Sequence, residues 1–485
     1  MPVMSLRNAA LAISLTAAAA CATNPVTGQR ELALMSEAQE IALGRQSDAE
    51  IRKTMGVYDD PELERYVQAI GLKLAKASER PNLPWSFAIV DSPAINAFAV
   101  PGGFIYLTRG ILPFLDSEAE LAGVLGHEIG HVTARHSVAQ YSRQTAAGVG
   151  LGVLGIFLPQ VQQAAPLAEA GLGALFLKYG RDDEREADRL GVKYTAANGW
   201  DPAGVAGMLT TLARLDEASG SRRGVPNWLS THPAPADRVQ EAQTFIAEAR
   251  AGNPASDAVN KPAYLQQIDG IVFGDSPEKG IVRGGEFLHS DLRFALRFPQ
   301  GWEVSNSDAQ VAAKRAEADH YLILELVQAQ GGSLEQIAQQ QMAKAGFTLV
   351  QGGRTRINNL DAVVGTYSGA MEGLGQAGAR AAHIQHGDRI YLLVGIAPAA
   401  QFNAARPAFD QAIGSFRSLT AAQAAALKPN LVDLHTARAG DSWEALASRA
   451  GEGGVKASTL AILNKYTPAQ PPRAGDRLKI IVAGS

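Results

Sequence analysis

His127 and His131 stand four residues apart, with Glu128 directly after the first. On a helix, positions i and i+4 share one face a turn apart, so two imidazoles at that spacing can reach one metal ion. A carboxylate beside them can take a proton from a water held at the same ion. This is the equipment of zinc-dependent peptide-bond hydrolysis, with one Zn2+ per chain. The five-residue pattern also arises by chance as a pair of ordinary helix histidines, so further donors are needed. His136 lies five residues past His131, turned away from it on a helix, and reads as a bystander.

A hydrolytic zinc site takes three protein ligands and keeps a fourth position for water. The chain has one cysteine, Cys21, which excludes a four-cysteine site and any intramolecular disulfide. The best further donors lie in Tyr179-Gly180-Arg181-Asp182-Asp183-Glu184-Arg185-Glu186-Ala187-Asp188. Glu184 and Asp188 share a helix face and Glu186 points elsewhere. Two carboxylates so placed repel unless a cation or a histidine N–H sits between them. We therefore assign Glu184 as third ligand and Asp188 as the group that fixes a ligand histidine's tautomer. The same stretch also fits a solvated acidic and basic helix face.

Several elements must position these residues. Ser117 can cap the motif helix, with Glu120 completing a capping box. Leu121, Val124, Leu125, Ile129 and Val132 form its apolar stripe. Gly123, Gly126 and Gly130 each cost about 1 kcal/mol against alanine in a helix interior. Three of them imply that another helix or a substrate comes close. Upstream, helices are expected over 36–53 and 61–77 and strands over 85–90, 96–100 and 104–108, with a Pro-Gly-Gly turn before the last. The strand edge at Asn96, Ala97, Phe98 and Ala99 either binds an extended peptide through its backbone or belongs to a plain hairpin. Residues 146–176 carry an apolar run too short to span a bilayer. They read as core, as a flap over the cleft that could plug it, or as a surface that dips into the membrane.

Taken together, His127 to His131, Glu184 to Asp188 and Asn96 to Gly103 resemble metallopeptidase family 48, the group that includes the CAAX prenyl proteases. The opening Cys21-Ala22-Thr23-Asn24-Pro25-Val26-Thr27-Gly28 is similar to the family's secreted lipoprotein branch. The resemblance covers residues 21–250. It implies an α+β protein whose first part is a mostly helical gluzincin-type zinc peptidase domain with a small sheet. It supports Glu184 as a metal ligand and Asn96 to Ala99 as the substrate edge. It also implies roles for His232, which reaches the metal site to occlude it or help bind substrate, and for Arg238, which steadies charge near the transition state. Read without the resemblance, His232 is a loop histidine before a proline-rich turn and Arg238 a structural ion-pair partner.

The remaining chain sets the context. Residues 1–21 read as an export signal, with Arg7 before a short apolar stretch and Cys21 as a lipidated first residue of the mature chain. The alternative is an ordinary signal and an incidental cysteine. Ala22 after Cys21 points to the outer membrane, so the expected location is the periplasm, with the membrane reached through a lipid anchor. Residues 22–255 are assigned to the peptidase domain. Within residues 265–420, 293–298, 321–327, 362–367 and 390–396 alternate like strands and 333–345 and 400–415 read as helices, which makes an α+β accessory domain. His289, His320, His383 and His386 show no ligand pattern there and read as ordinary. Residues 430–485, with two Arg-Ala-Gly-Asp turns, resemble a small βααβ LysM-like module, whose expected partner is peptidoglycan or a protein.

The 485 residues are 46% apolar and 19% charged, with a net charge of −4. No long basic run is present, so no nucleic-acid partner is expected. The sequence thus reads as an envelope endopeptidase whose partners are protein or peptide substrates. The competing reading is an envelope assembly factor or chaperone with a largely dormant metal site.

Overall fold

The structure, a computed structural model, describes residues 21–146, 179–219, 228, 232, 237–252, 256–306, 310–328, 331–371, 373–450 and 454–484. The apolar run expected as core, flap, plug or membrane-dipping surface, and nearly all of the expected export signal, lie outside these residues.

The motif helix is the centre of the first compact unit. Helix α1 (Glu37–Met55) begins at Ser36, whose side chain and Gln39 form a reciprocal capping box. Helix α2 (Pro61–Lys76) starts with its proline at the first turn and Asp60 as cap. Strands β1 (Ser86–Val90), β2 (Ala97–Val100) and β3 (Phe104–Thr108) form a sheet in the order β1-β3-β2. β3 is parallel to β1 and antiparallel to β2. β2 is therefore an edge strand, as its expected role requires. Gly102 and Gly103 turn the chain between β2 and β3 at φ 85° and 101°, where a β-carbon is strained.

Helix α3 (Glu118–Thr133) carries the two motif histidines and is buried from Ala119 onward. Helices α4 (His136–Ala146), α5 (Arg181–Ala197), α6 (Ala203–Ser219) and α7 (Arg238–Gly252) follow. The three glycines of α3 face helices. A β-carbon on Gly126 would stand 3.1 Å from the Cα of Gly191 in α5, and one on Gly130 3.1 Å from the Cα of Ala187. One on Gly123 would stand 3.0 Å from the backbone N of Val205 in α6. Backbone meets backbone there, which brings Glu184 and Asp188 beside the histidines and offsets the helix-propensity cost.

Both ends of α3 are held by buried charge. At its C-terminal end, Arg80 donates to the Val132 carbonyl at 2.9 Å and to Glu40 at 2.8 Å. Arg135, at φ 60°, ends the helix and also pairs with Glu40. At its N-terminal end, Ser117 accepts from the Glu120 N–H. The expected capping box is only half made, because the Glu120 carboxylate accepts from the Asp116 N–H instead, at 2.8 Å.

The chain's C-terminal segment belongs to this same compact unit, as do residues 256–274. It runs strand Asn430–Thr436, helix Trp443–Ala447, helix Ala457–Leu463 and strand Arg477–Ala483. Its two strands join Val272–Phe273 in a three-stranded sheet. Lys465 reaches Glu120 at 2.7 Å and the Phe114 carbonyl at 3.0 Å. The fully buried Lys479 donates to the Leu115 carbonyl at 2.6 Å.

The second compact unit is built on residues 275–430. A seven-stranded antiparallel sheet runs from Trp302–Asn306 at one edge to Phe347–Ile357 at the other, with Gln310–Arg315, Tyr321–Val327, Arg389–Pro398, Gly375–His386 and Leu360–Met371 between them in that order. Helices Leu334–Lys344 and Phe402–Ser415 cover it, each over its own apolar cluster. The strands expected from alternation and the two expected helices are present, Tyr321–Val327 to the residue. The histidines read as ordinary are so: His383 sits within the sheet with burial pushing its pKa down to about 4, which leaves it neutral.

Candidate metal centre

Helix α3 presents His127 and His131 from one face, and α5 presents Glu184 opposite. His232 comes from the chain between α6 and α7. Four donor atoms converge. His127 Nε2 is 3.1 Å from His131 Nε2 and 3.3 Å from His232 Nδ1. Glu184 lies 2.9 Å from His232 Nδ1, 3.5 Å from His131 Nε2 and 3.6 Å from His127 Nε2. A tetrahedral zinc with ligand bonds of 2.0–2.1 Å places neighbouring donors about 3.3 Å apart. The distances above are close to that spacing, the four donor atoms all lie within 4.8 Å of one another, and all four residues are buried. Three imidazoles and a carboxylate are also a chemically apt zinc donor set.

Glu128 supplies a second test of fit. It is fully buried, and neither carboxylate oxygen has a hydrogen-bond partner among the described residues. His232 Nε2 is 3.7 Å from it. An unpartnered buried carboxylate is costly unless a proton donor, such as a water at the metal, stands before it.

The carboxylates of α5 are neutralised from behind. Arg238, at the start of α7, grips Asp188 with two bonds of 2.8 and 2.7 Å and reaches Glu184 at 2.8 Å. Asp188 also takes the outer nitrogen of His127 at 3.0 Å. The i, i+4 carboxylate pair therefore has both compensations that its repulsion demands, a cation and a histidine N–H. Burial alone pushes both carboxyls up. For Asp188 the pull of Arg238 and His127 wins, and for Glu184 that of His232 and Arg238, so both stay below their ordinary range. Burial also drives His131 well down, helped by its histidine neighbours, leaving the neutral imidazole that a metal requires. For His232 burial pulls the same way but Glu184 and Glu128 outweigh it, raising its pKa.

For Arg238 two roles were open, steadying charge near the transition state and a structural ion pair; its guanidinium is engaged by two carboxylates and is 2% exposed. His232 was expected to reach the metal site, and its Nδ1 stands with the other three candidate donors, 3.3 Å from His127 Nε2. Trp228 stacks on it, with ring centroids 4.7 Å apart, and the Trp228 backbone N–H donates to the Ile95 carbonyl at 3.1 Å, just before β2. Ala97 to Ala99 lie buried on that edge strand, and Asn96, buried just before it, is tied to β3 through Thr108.

Sequence reasoning missed two residues. His136, read as a bystander, has its Nδ1 2.9 Å from His131 Nδ1. Glu186, read as pointing away, meets the far nitrogen of His136 at 3.1 Å. Helical phase gave the wrong answer because α3 ends at Thr133 and the chain turns at Arg135, φ 60°, before His136 opens α4. Tyr179, stacked on His131 at 3.9 Å, was visible only as the residue leading the acidic motif.

Residues 61–246 match the family model described as peptidase family M48. The chain is 31% identical over 309 residues to the beta-barrel assembly-enhancing protease of Escherichia coli (strain K12), covering 61% of this chain and 58% of that protein. A protein of the same name from Yersinia pestis is 32% identical over 231 residues, 45% of this chain and 46% of its own length. The mitochondrial metalloendopeptidase OMA1 of Schizosaccharomyces pombe is 30% identical over 198 residues, 40% of this chain and 57% of its own length. The chain thus spans about half the length of the curated relatives it matches.

Proposed function

We propose that this protein, whose residues 61–246 match peptidase family M48, is a zinc-dependent endopeptidase that cleaves proteins of the bacterial cell envelope. His127, His131 and Glu184 hold the metal. Bound zinc supplies Lewis-acid polarisation of the scissile carbonyl and acidifies a water. Glu128 takes the proton from the attacking water and delivers it to the leaving amine. The substrate lies extended along Asn96 to Ala99, where the edge strand offers backbone hydrogen bonds. Asp188 keeps His127 in its ligand tautomer, and Arg238 keeps Asp188 and Glu184 charged and in place. The observation that carries this reading is the orphaned carboxylate of Glu128 beside four converging donors.

The relatives named as beta-barrel assembly-enhancing proteases support misassembled envelope proteins as substrates. A periplasmic enzyme held at the outer membrane through Cys21 accords with that substrate class. Among the described residues no helix is long and apolar enough to cross a membrane. The LysM-like segment adds peptidoglycan contact. Its two Arg-Ala-Gly-Asp turns are exposed at Arg438 to Gly440 and Arg473 to Asp476.

Replacing Glu128 by Gln tests the activity. Proteolysis of an unfolded protein substrate should fall by at least about 100-fold while one zinc per chain remains bound. Unchanged proteolysis would end the reading. His232 favours a second reading, since a fourth protein donor closes the position that water needs. The enzyme then rests in a closed state, and His232→Ala should raise turnover. If His232→Ala is no faster and cells tolerate Glu128→Gln, the assembly-factor reading with a dormant metal site stands.

A further inference from the structure

We propose that His136 and Glu186 are positioning residues that set the tautomer of His131 and so make it competent to hold the metal. The inference rests on the metal reading above and extends it to residues that touch no metal.

His131 turns its Nε2 toward the donor cluster, 3.1 Å from His127 Nε2 and 3.5 Å from Glu184. To bind a cation, that nitrogen must offer a lone pair, so the ring proton must sit on Nδ1. The Nδ1 atom faces another imidazole nitrogen, Nδ1 of His136, at 2.9 Å. Between two neutral rings, one nitrogen donates and the other accepts. If His131 donates, its Nε2 is free for the metal. If His136 donates, His131 carries its proton on Nε2 and the metal is refused. The contact alone permits both arrangements.

Glu186 removes the ambiguity. Its carboxylate lies 3.1 Å from His136 Nε2 and can only accept a hydrogen bond. It therefore keeps the His136 proton on Nε2 and leaves Nδ1 as an acceptor. The chain of donation then runs from His131 Nδ1–H to His136, and from His136 Nε2–H to Glu186. His136 is 3% exposed and Glu186 has a side chain 24% exposed, so the first contact is shielded from competing water and the second is fed from the surface. The two motif histidines are thus served differently. His127 meets its carboxylate, Asp188, directly, and that carboxylate is shared with Arg238. His131 meets its carboxylate through an intervening ring.

The test is zinc affinity of the full chain, measured by competition with a chromophoric chelator, alongside urea unfolding of the metal-free protein. His131→Ala should lose the site. His136→Ala should weaken zinc binding about 10–100-fold, the usual effect of losing a partner behind a metal ligand. Glu186→Gln should weaken it about 10-fold, because the amide can donate to His136 and permit the wrong tautomer. His136→Asn should restore most of the affinity, since the asparagine Oδ1 falls where the imidazole Nδ1 was and can accept from His131. Zinc affinity within twofold of wild type in His136→Ala or Glu186→Gln would overturn the proposal. So would equal losses in His136→Ala and His136→Asn, or losses that only follow a destabilised metal-free fold. If instead the wild-type chain binds no zinc, or His131→Ala binds it unchanged, the metal reading itself fails.

Discussion

Lys465 lies 345 residues beyond Glu120, and its ammonium donates to the Glu120 carboxylate at 2.7 Å. The same ammonium meets the Phe114 carbonyl and Thr211, so the C-terminal segment closes the N-terminal end of the metal helix. Glu120 is two turns before His127. A LysM-like segment read from sequence as a separate partner-binding module is thus packed into the unit that holds the metal site.

Lys465→Met should destabilise the protein by about 2–4 kcal/mol, because it leaves a mostly buried carboxylate with no cation at 2.7 Å. Urea unfolding of the full chain measures this. A change under about 0.5 kcal/mol would show that Glu120 needs only its bond to the Asp116 N–H.

Lys479 sets a pH dependence. Burial lowers its pKa to about 8, against the pull of Asp116. In the unfolded chain a lysine holds its proton to about pH 10.4. Between these values the unfolded state binds more protons, so the contribution of Lys479 to stability rises with pH across that window and is lowest below pH 8. The stability difference between wild type and Lys479→Met should be flat below pH 8 and shift toward wild type from pH 8 to 10.5. A flat difference across the whole range would mean that Lys479 is not titrating in the folded protein.

Gly126→Ala sets helix propensity against packing. Alanine gains about 1 kcal/mol in an isolated helix. Here its methyl would stand 3.1 Å from both the Cα and the carbonyl oxygen of Gly191, backbone that yields only if α5 moves. Overpacking of this kind costs about 1–3 kcal/mol, so the net expectation is destabilisation together with weaker zinc binding, since α5 carries Glu184. Calorimetry with and without zinc checks both, and a higher melting temperature in both would refute the close-packing argument.

Arg238→Ala should cost about 3–5 kcal/mol by stranding two buried carboxylates. Arg238→Lys should recover little of it, because one ammonium cannot reproduce the bidentate grip on Asp188 plus the bond to Glu184. Acid unfolding of the metal-free protein gives a second reading. Asp188 and Glu184 are held below their ordinary pKa values, so their stabilisation is present above about pH 4–4.5 and is lost as pH falls through their folded values. In Arg238→Ala that loss should begin at higher pH.

Local pattern fixed the pieces of this protein. The His127 and His131 spacing set two donors on one face, Ser36 and Ser117 capped their helices, and the alternation of Tyr321–Val327 placed a strand. The glycines of α3 announced a close neighbour because their helix-propensity cost requires a reason, and Glu184 with Asp188 announced a cation or an imidazole because like charges at one turn repel. These inferences depend on residues within a few positions of one another, where backbone geometry alone relates them.

What lay across a chain reversal or a long gap was decided only by the tertiary structure. Helical phase turned His136 away from His131, but the break at Arg135 brought it back. Arg238 carries one cation that substrate and structure could both claim, and only its packing against α5 assigned it to Asp188 and Glu184. Lys465 and Lys479 carry no local signal, because a lysine near a surface turn reads as solvated until a buried carboxylate or an unpaired carbonyl is brought within 3 Å of it. Periodicity determines which face a residue takes on its own helix, and the packing of distant segments determines what that face meets.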